Sequence, residues 1–257
     1  MTAQLRSELL KLRSTRTTMV LLLTAVALVV LGAVALGTSL KLEELVGEDK
    51  QRELFGSATG VILLATYVGV IGLTSEFRYG TIHPTLLIEP RRRVVLGAKL
   101  AASALVGLVF GVVGVAAGFG ASGVILVARD VDFAISGGHA TALVGGTIAG
   151  TALCAMLGVA VGALIRNQVG ALIALGAWAL AVETVLFVAV PSVGRYLPGL
   201  ASSAFAGLPD PNHLSSAVGG TVLLAWTMRL RSSQAYERSA ATSRSPPPGR
   251  NRSGMRG

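Results

Sequence analysis

The sequence predicts an all-α integral membrane protein: a bundle of six transmembrane helices, preceded by an amphipathic helix lying at the membrane interface. Three observations carry that prediction. Hydrophobic residues make up 52% of the 257-residue chain and charged residues 14%, with a mean hydropathy of +0.68. A soluble globular domain carries about 25% charged residues, so this chain has too few to cover a water-facing surface. The charges are also clustered, which leaves long charge-free runs between them, and a helix needs roughly 20 apolar residues to cross a ~30 Å hydrocarbon core. Finally, the runs are continuously apolar instead of alternating every second residue, which excludes a spanning β-barrel.

The elements follow in order. Met1–Thr18 is polar and basic, with Leu5, Leu9 and Leu12 recurring at helical spacing, and reads as the amphipathic surface helix. Met19–Leu40 is the first span. A cleaved signal peptide is its rival, given the basic start and the small residues near Ala35 and Gly37. The apolar stretch of about 22 residues exceeds the 7–15 of a signal core, so a retained span is expected. Lys41–Leu54 is a charged loop with five acidic and three basic residues, and Phe55–Thr74 is the second span. Ser75–Lys99 is a polar, basic segment. Leu100–Val127 is the third span, Arg129–His139 a short loop, and Ala140–Ile165 and Val169–Val190 the fourth and fifth spans, separated only by Arg166-Asn167-Gln168. Pro191–His213 is a connection whose apolar piece, Leu200–Leu208, is too short to span and suits a re-entrant or surface turn. Leu214–Met228 is a short sixth span, which Arg229 and Arg231 extend by snorkelling. Arg229–Gly257 holds 7 Arg, 6 Ser, 3 Pro and 3 Gly, a composition that predicts a disordered basic tail.

Orientation comes from the lysines and arginines, which collect on the cytoplasmic side of spanning segments. Of the 22, 17 fall in the N-terminal segment, the second-to-third connection, Arg166 and the tail, and 5 in the alternate loops. Both ends are therefore expected in the cytoplasm. The same asymmetry accounts for the net charge of +9 and pI of 10.6 without a nucleic-acid partner; the lipid bilayer is the partner implied.

Two spans carry glycine ridges. Gly107, Gly111, Gly114 and Gly118 share one helix face, as do Gly146, Gly150, Cys154, Gly158 and Gly162. Such faces let helix backbones approach closely where lipid provides no hydrophobic drive; internal packing and a subunit interface both fit. The lone Cys154 sits in an apolar run and reads as a small packing residue, and no Cys/His spacing suggests a metal.

No phosphate-binding loop G-x-x-x-x-G-K-[ST] occurs, nor H-E-x-x-H, G-x-S-x-G or a paired catalytic carboxylate. The chain is therefore not expected to be an enzyme or to hold a cofactor of its own. Glu183 is the one acidic residue well inside a predicted span. An ionisable group there is costly, on the order of 2.5–3.5 kcal/mol, and is a functional candidate by default. It stands as a possible transport-path residue, although its nearness to Val190 also allows an interfacial setting. The segment Thr74–Lys99, TSEFRYGTIHPTLLIEPRRRVVLGAK, sets Leu86, Leu87 and Ile88 among Glu76, Arg78, Glu89 and Arg91-Arg92-Arg93. It reads either as an anionic-lipid contact or as a docking site for a soluble partner.

The segment Glu8–Arg13 before the first span resembles the start of actinobacterial type-2 ATP-binding cassette (ABC) transporter permeases. So does the pattern Ser75-Glu76…Gly80-Thr81…Pro90-Arg91-Arg92…Lys99, together with Gly158–Gln168 and Leu197-Pro198-Gly199. The resemblance covers roughly Leu5–Trp226. It implies a six-helix half-transporter of the bacterial plasma membrane, pairing with a second permease subunit as a homo- or heterodimer and with cytoplasmic ABC ATPase subunits that bind the ATP. It places Glu76, Arg78, Gly80, Thr81, Leu86, Leu87, Glu89 and Arg91, Arg92 and Arg93 in a cytoplasmic loop that couples to the ATPase. His83-Pro84 departs from the pattern, since proline removes a backbone donor there and disfavours helix at His83. The expected function is thus the permease of an ATP-driven exporter. A non-transport membrane anchor or assembly protein and an ion-coupled secondary transporter using Glu183 are the alternatives.

Overall fold

A computed structural model describes residues 6–8, 10, 15–80, 92–209 and 214–243, with side chains described up to 229 and, after the gap at 81–91, from 94 onward. Among the described residues every regular element is helical. Arg6, Ser7, Glu8 and Leu10 are helical; the rest of the predicted surface helix up to residue 14 lies outside the described residues. The first long helix, α1 (Arg16–Ser39), starts slightly ahead of the predicted span. It buries only Ala25, Val29, Ala33 and Gly37, one small-residue stripe at four-residue spacing, while Leu23 and Leu31 stand 69% and 62% exposed. An apolar face of that extent is unsuited to water and suited to lipid.

Two short helices follow, α2 (Leu42–Leu45) and α3 (Glu48–Phe55). The predicted charged loop is thus largely helical. Glu48 and Asp49 in the first turn of α3 and Arg52 in its last complement the helix dipole. A 3-10 stretch (Gly56–Gly60) continues α3 into α4 (Val61–Arg78). α5 (Arg92–Ala128) has 37 residues, about 55 Å at 1.5 Å per residue against a ~30 Å core. It begins two turns before the predicted start at Leu100, and is longer than the core it would cross.

α6 (Gly137–Ile165) is capped by Ser136, whose Oγ accepts the His139 N–H. It ends at Arg166 with φ 55°, and α7 (Gln168–Ala177) begins after Asn167, whose Oδ1 accepts the Gly170 N–H at 3.0 Å. A left-handed exit followed at once by an Asn cap reverses the chain in two residues, as the short predicted break requires. A π turn (Trp178–Val182) joins α7 to α8 (Glu183–Ala189). α9 (Pro191–Gly194) and α10 (Pro198–Phe205) fill the next connection. α11 (Ser216–Ser243) occupies the place of the sixth span but runs on to Ser243. Residues 229–243, read from composition as structureless, extend it as helix. They contain no proline, and Leu, Gln, Ala, Glu and Arg among them are good helix formers; 244–257 lie outside the described residues.

Among the described residues, five helical stretches are long and apolar enough to cross a membrane: Arg16–Ser39, Glu48–Arg78, Val94–Ala128, Gly137–Ile165 and Gln168–Ala189. The chain is therefore built as a multi-pass membrane protein. The apolar part of α11 is shorter than those stretches.

α4 and α6 form the centre of the bundle and pack along their length, with α5 on α6 and α4, α1 on α5, and α11 on α6. Both glycine ridges serve this internal packing. Gly107 and Gly111 face Ala152 and Ile148 of α6, and Gly114 and Gly118 face Val61 and Ala58. Gly158 and Gly162 face the backbone of Thr66 and Val70, and Gly146 that of Phe205. Buried hydroxyls bond within their own helices, as Thr66 to the Ile62 carbonyl and Thr74 to the Val70 carbonyl, both at 2.8 Å. That satisfies polar groups where no water is at hand.

The connections 41–54, 129–139 and 195–209 meet at one end of the bundle. Buried Gln51 donates to the carbonyls of Leu45 (2.9 Å) and Asp132 (2.7 Å) and accepts from the Ala134 N–H (2.8 Å). Arg52 reaches the Gly207 carbonyl at 2.6 Å, and Arg129 caps the end of α1 through the carbonyls of Gly37 and Leu40. Those three connections are the ones the charge count assigned to a common side.

Candidate functional site

At the opposite end, three segments distant in sequence meet on Lys99. This residue ends the predicted polar connection but lies in the third turn of α5, within helix and 4% exposed. Its Nζ sits 2.7 Å from Glu76 Oε1, near the end of α4, and 2.9 Å from Glu8 Oε2. All three side chains are at most 6% exposed. An ammonium removed from water needs partners of opposite charge at hydrogen-bond distance, and the two carboxylates meet that need. The consequence is mechanical. The end of α4 and the start of α5, which flank the connection between them, are ionically joined, with the N-terminal segment tied to the same point.

Of the other predicted coupling residues, Arg78, Gly80, Arg92 and Arg93 are among the described ones. Arg78 is exposed, with Nη1 3.4 Å from Gln168 Oε1 at the start of α7, and its guanidinium lies 5.6 Å from the Tyr79 ring centroid. Gly80 has φ 68° with open space around it, a left-handed exit from α4 that glycine adopts without strain. Arg92 and Arg93 open α5. Thr81, Leu86, Leu87, Glu89 and Arg91 lie outside the described residues, as does the His83-Pro84 pair. Sequence reasoning did not single out Lys99 or Glu8 as partners. One signal was present: Glu8 falls on the same helical arc as Leu5 and Leu12, where an acidic residue has no reason to be unless something basic meets it.

Glu183 belongs to a second site. It is 5% exposed and lines a cavity of about 700 Å³ between α4, α6, the α7–α8 helix, α10 and α11. Trp178 Nε1 donates to its Oε1 at 2.8 Å, and the backbone of Gly199 packs against the same carboxylate, so closely that an added β-carbon would run into Oε2. Local geometry explains the first contact. Residues five apart stand about 140° apart around an α-helix of 3.6 residues per turn, too far to touch. The π turn between them closes i→i+5 bonds and brings Trp178 and Glu183 onto one side. The second contact comes from the chain's return. At the end of α9, Gly194 packs back on Phe187, and Gly199 in the first turn of α10 reaches Glu183 as that helix runs between α6 and α11. Within the apolar piece Leu200–Leu208, Ala201, Ala204 and Ala206 are at most 2% exposed, packed among the neighbouring helices.

No family model matches the chain, and no curated protein matches it.

Proposed function

We propose that this chain is the membrane-spanning permease subunit of an ATP-driven ABC transporter, working as an exporter. In this reading the α4–α5 connection faces the cytoplasm and docks a separate ATPase, α11 completes six spans, and a second permease subunit closes the transport path. The observation that supports it best is the Glu8–Lys99–Glu76 clasp. A soluble ATPase can drive helices across a membrane only if its push on a loop is not absorbed by that loop. Joining the two bases of 77–98 to each other and to the N-terminal segment makes α4, α5 and that segment respond together. The absence of a nucleotide-binding motif and the basic character of the connection are what a partner-dependent subunit needs.

The docking test is to look for a gene encoding a phosphate-loop ATPase adjacent to this one and to measure co-purification with its product, together with ATP turnover in the reconstituted complex. Apolar anchors contribute most of the energy at an interface, whereas charges set orientation. Leu86→Asp or Leu87→Asp is therefore expected to weaken association by on the order of 2 kcal/mol, about thirtyfold. Charge reversal at Arg92 acts more mildly and depends on salt. Both variants should insert at normal levels, since neither position lies in a span. Wild-type binding and coupling in both aspartate variants would refute the docking assignment.

Sidedness has its own test. With Cys154→Ala as background, cysteines placed at Asp49, Asp130 or Arg195 are expected to react with an impermeant thiol reagent in intact cells, and one at Arg92 is expected to react only after lysis. Labelling at Arg92 from outside would invert the topology and remove the docking proposal with it.

A further inference from the structure

We propose that the cavity beside Glu183 binds a lipophilic organic cation: a bulky ammonium or phosphonium whose charge is surrounded by apolar substituents. The inference rests on the transporter reading for what such binding serves, but the binding itself needs no ATPase.

Charge complementarity identifies the ligand. Among the described residues lining the cavity, Glu183 is the charged one; its neighbours are apolar side chains, a few hydroxyls, and the indoles of Trp178 and Trp226. The hydrogen bond described on the Glu183 side chain is donated to it, from Trp178 Nε1 to Oε1, and the Gly199 backbone packs against Oε2. A carboxylate offers about four acceptor positions, so the Trp178 donor orients it and leaves room for an interaction from the cavity. A carboxylate with no basic side chain lining its cavity repels anions and offers a neutral apolar molecule nothing specific. A cation with apolar substituents gains an opposite charge at short range and indole faces for cation–π contact, while its substituents replace water against the apolar wall. The cavity's 700 Å³ lies in the range of about 300–1,000 Å³ usual for small-molecule sites.

The chain carries its own reporter. It has two tryptophans, and both line this cavity. The experiment titrates tetraphenylphosphonium into the purified full-length protein in nanodiscs and follows intrinsic tryptophan fluorescence. Tetraphenylborate, of nearly the same shape and opposite charge, is the matched control. Saturable quenching by the phosphonium is expected, and Glu183→Gln, which keeps an acceptor for Trp178, should weaken it about tenfold or more while leaving the borate response unchanged. Ser203→Phe, which keeps the carboxylate and fills the cavity, should also weaken phosphonium binding. Either of two results would overturn the proposal: equal phosphonium affinity in wild type and Glu183→Gln, or undiminished affinity in a folded Ser203→Phe protein. Should Glu183→Gln fail to fold, Ser203→Phe decides alone. A negative result here leaves ATPase docking standing, and a failed co-purification leaves this binding result standing, so the two readings fail separately.

Discussion

Lys99→Met is expected to destabilise the folded protein by on the order of 3–5 kcal/mol, the cost of removing one partner from a buried ionic group. The reason lies in what remains. Glu8 and Glu76 each come within 2.9 Å of the same ammonium and are almost fully buried, so its loss leaves two carboxylates facing each other without a cation. The measurement is thermal unfolding of purified protein followed by size-exclusion chromatography, with surface-expressed protein as a second readout. A specific rescue accompanies it. The triple variant Glu8→Gln, Glu76→Gln, Lys99→Met removes all three charges and should recover most of the loss, because neutral replacements of a buried ionic cluster are often nearly isoenergetic with it. Glu76→Gln alone should fall between the two. If Lys99→Met unfolds at the wild-type temperature, the three groups are not buried together and the rigid-loop explanation of coupling goes with them. If the triple variant is stable but no longer couples ATP turnover, the clasp serves force transmission and not only folding.

Gly158→Val is expected to be nearly as damaging, about 3 kcal/mol, at the upper end of overpacking costs. A β-carbon on Gly158 would run into the Thr66 carbonyl, and one on Gly69 into the Ala155 carbonyl. α4 and α6 thus cross backbone against backbone. A flexible side chain can step aside from an added methyl group, but a helical carbonyl cannot move without shifting its whole turn. Because lipid supplies no hydrophobic drive between helices, this close approach is a main source of the bundle's cohesion, and separating the pair loosens contacts on both sides of α6. Gly145→Ala is the control. It lies on the same helix, exposed, with nothing within 4 Å of an added β-carbon, and should be neutral or slightly stabilising because alanine is the better helix former. Equal melting of Gly158→Val and Gly145→Ala would mean that α4 and α6 are not in backbone contact.

What the sequence by itself determined is whatever depends on neighbours along the chain. The length of an apolar run against the thickness of a bilayer is local information, and the five long helices coincide with five of the predicted spans. The two-residue reversal at Arg166-Asn167 and the glycine ridges on their helix faces were equally legible, since helical periodicity places them without knowledge of the partner. Boundaries failed where polar residues were taken as loop. Lys41–Leu54 and Arg92–Lys99 are mostly helical, because charge ends a span without ending a helix. Only the tertiary structure decided the partners. Glu8, Glu76 and Lys99 are far apart in the chain, and nothing about any one of them names the other two. Desolvation belongs to the assembled surroundings, and it turns three such charges into a clasp. Glu183 is the same case in reverse. Its position inside a span was plain, but its choice between cavity and interface rested on a π turn and on a returning Gly199, and no pattern in the neighbouring residues encodes either.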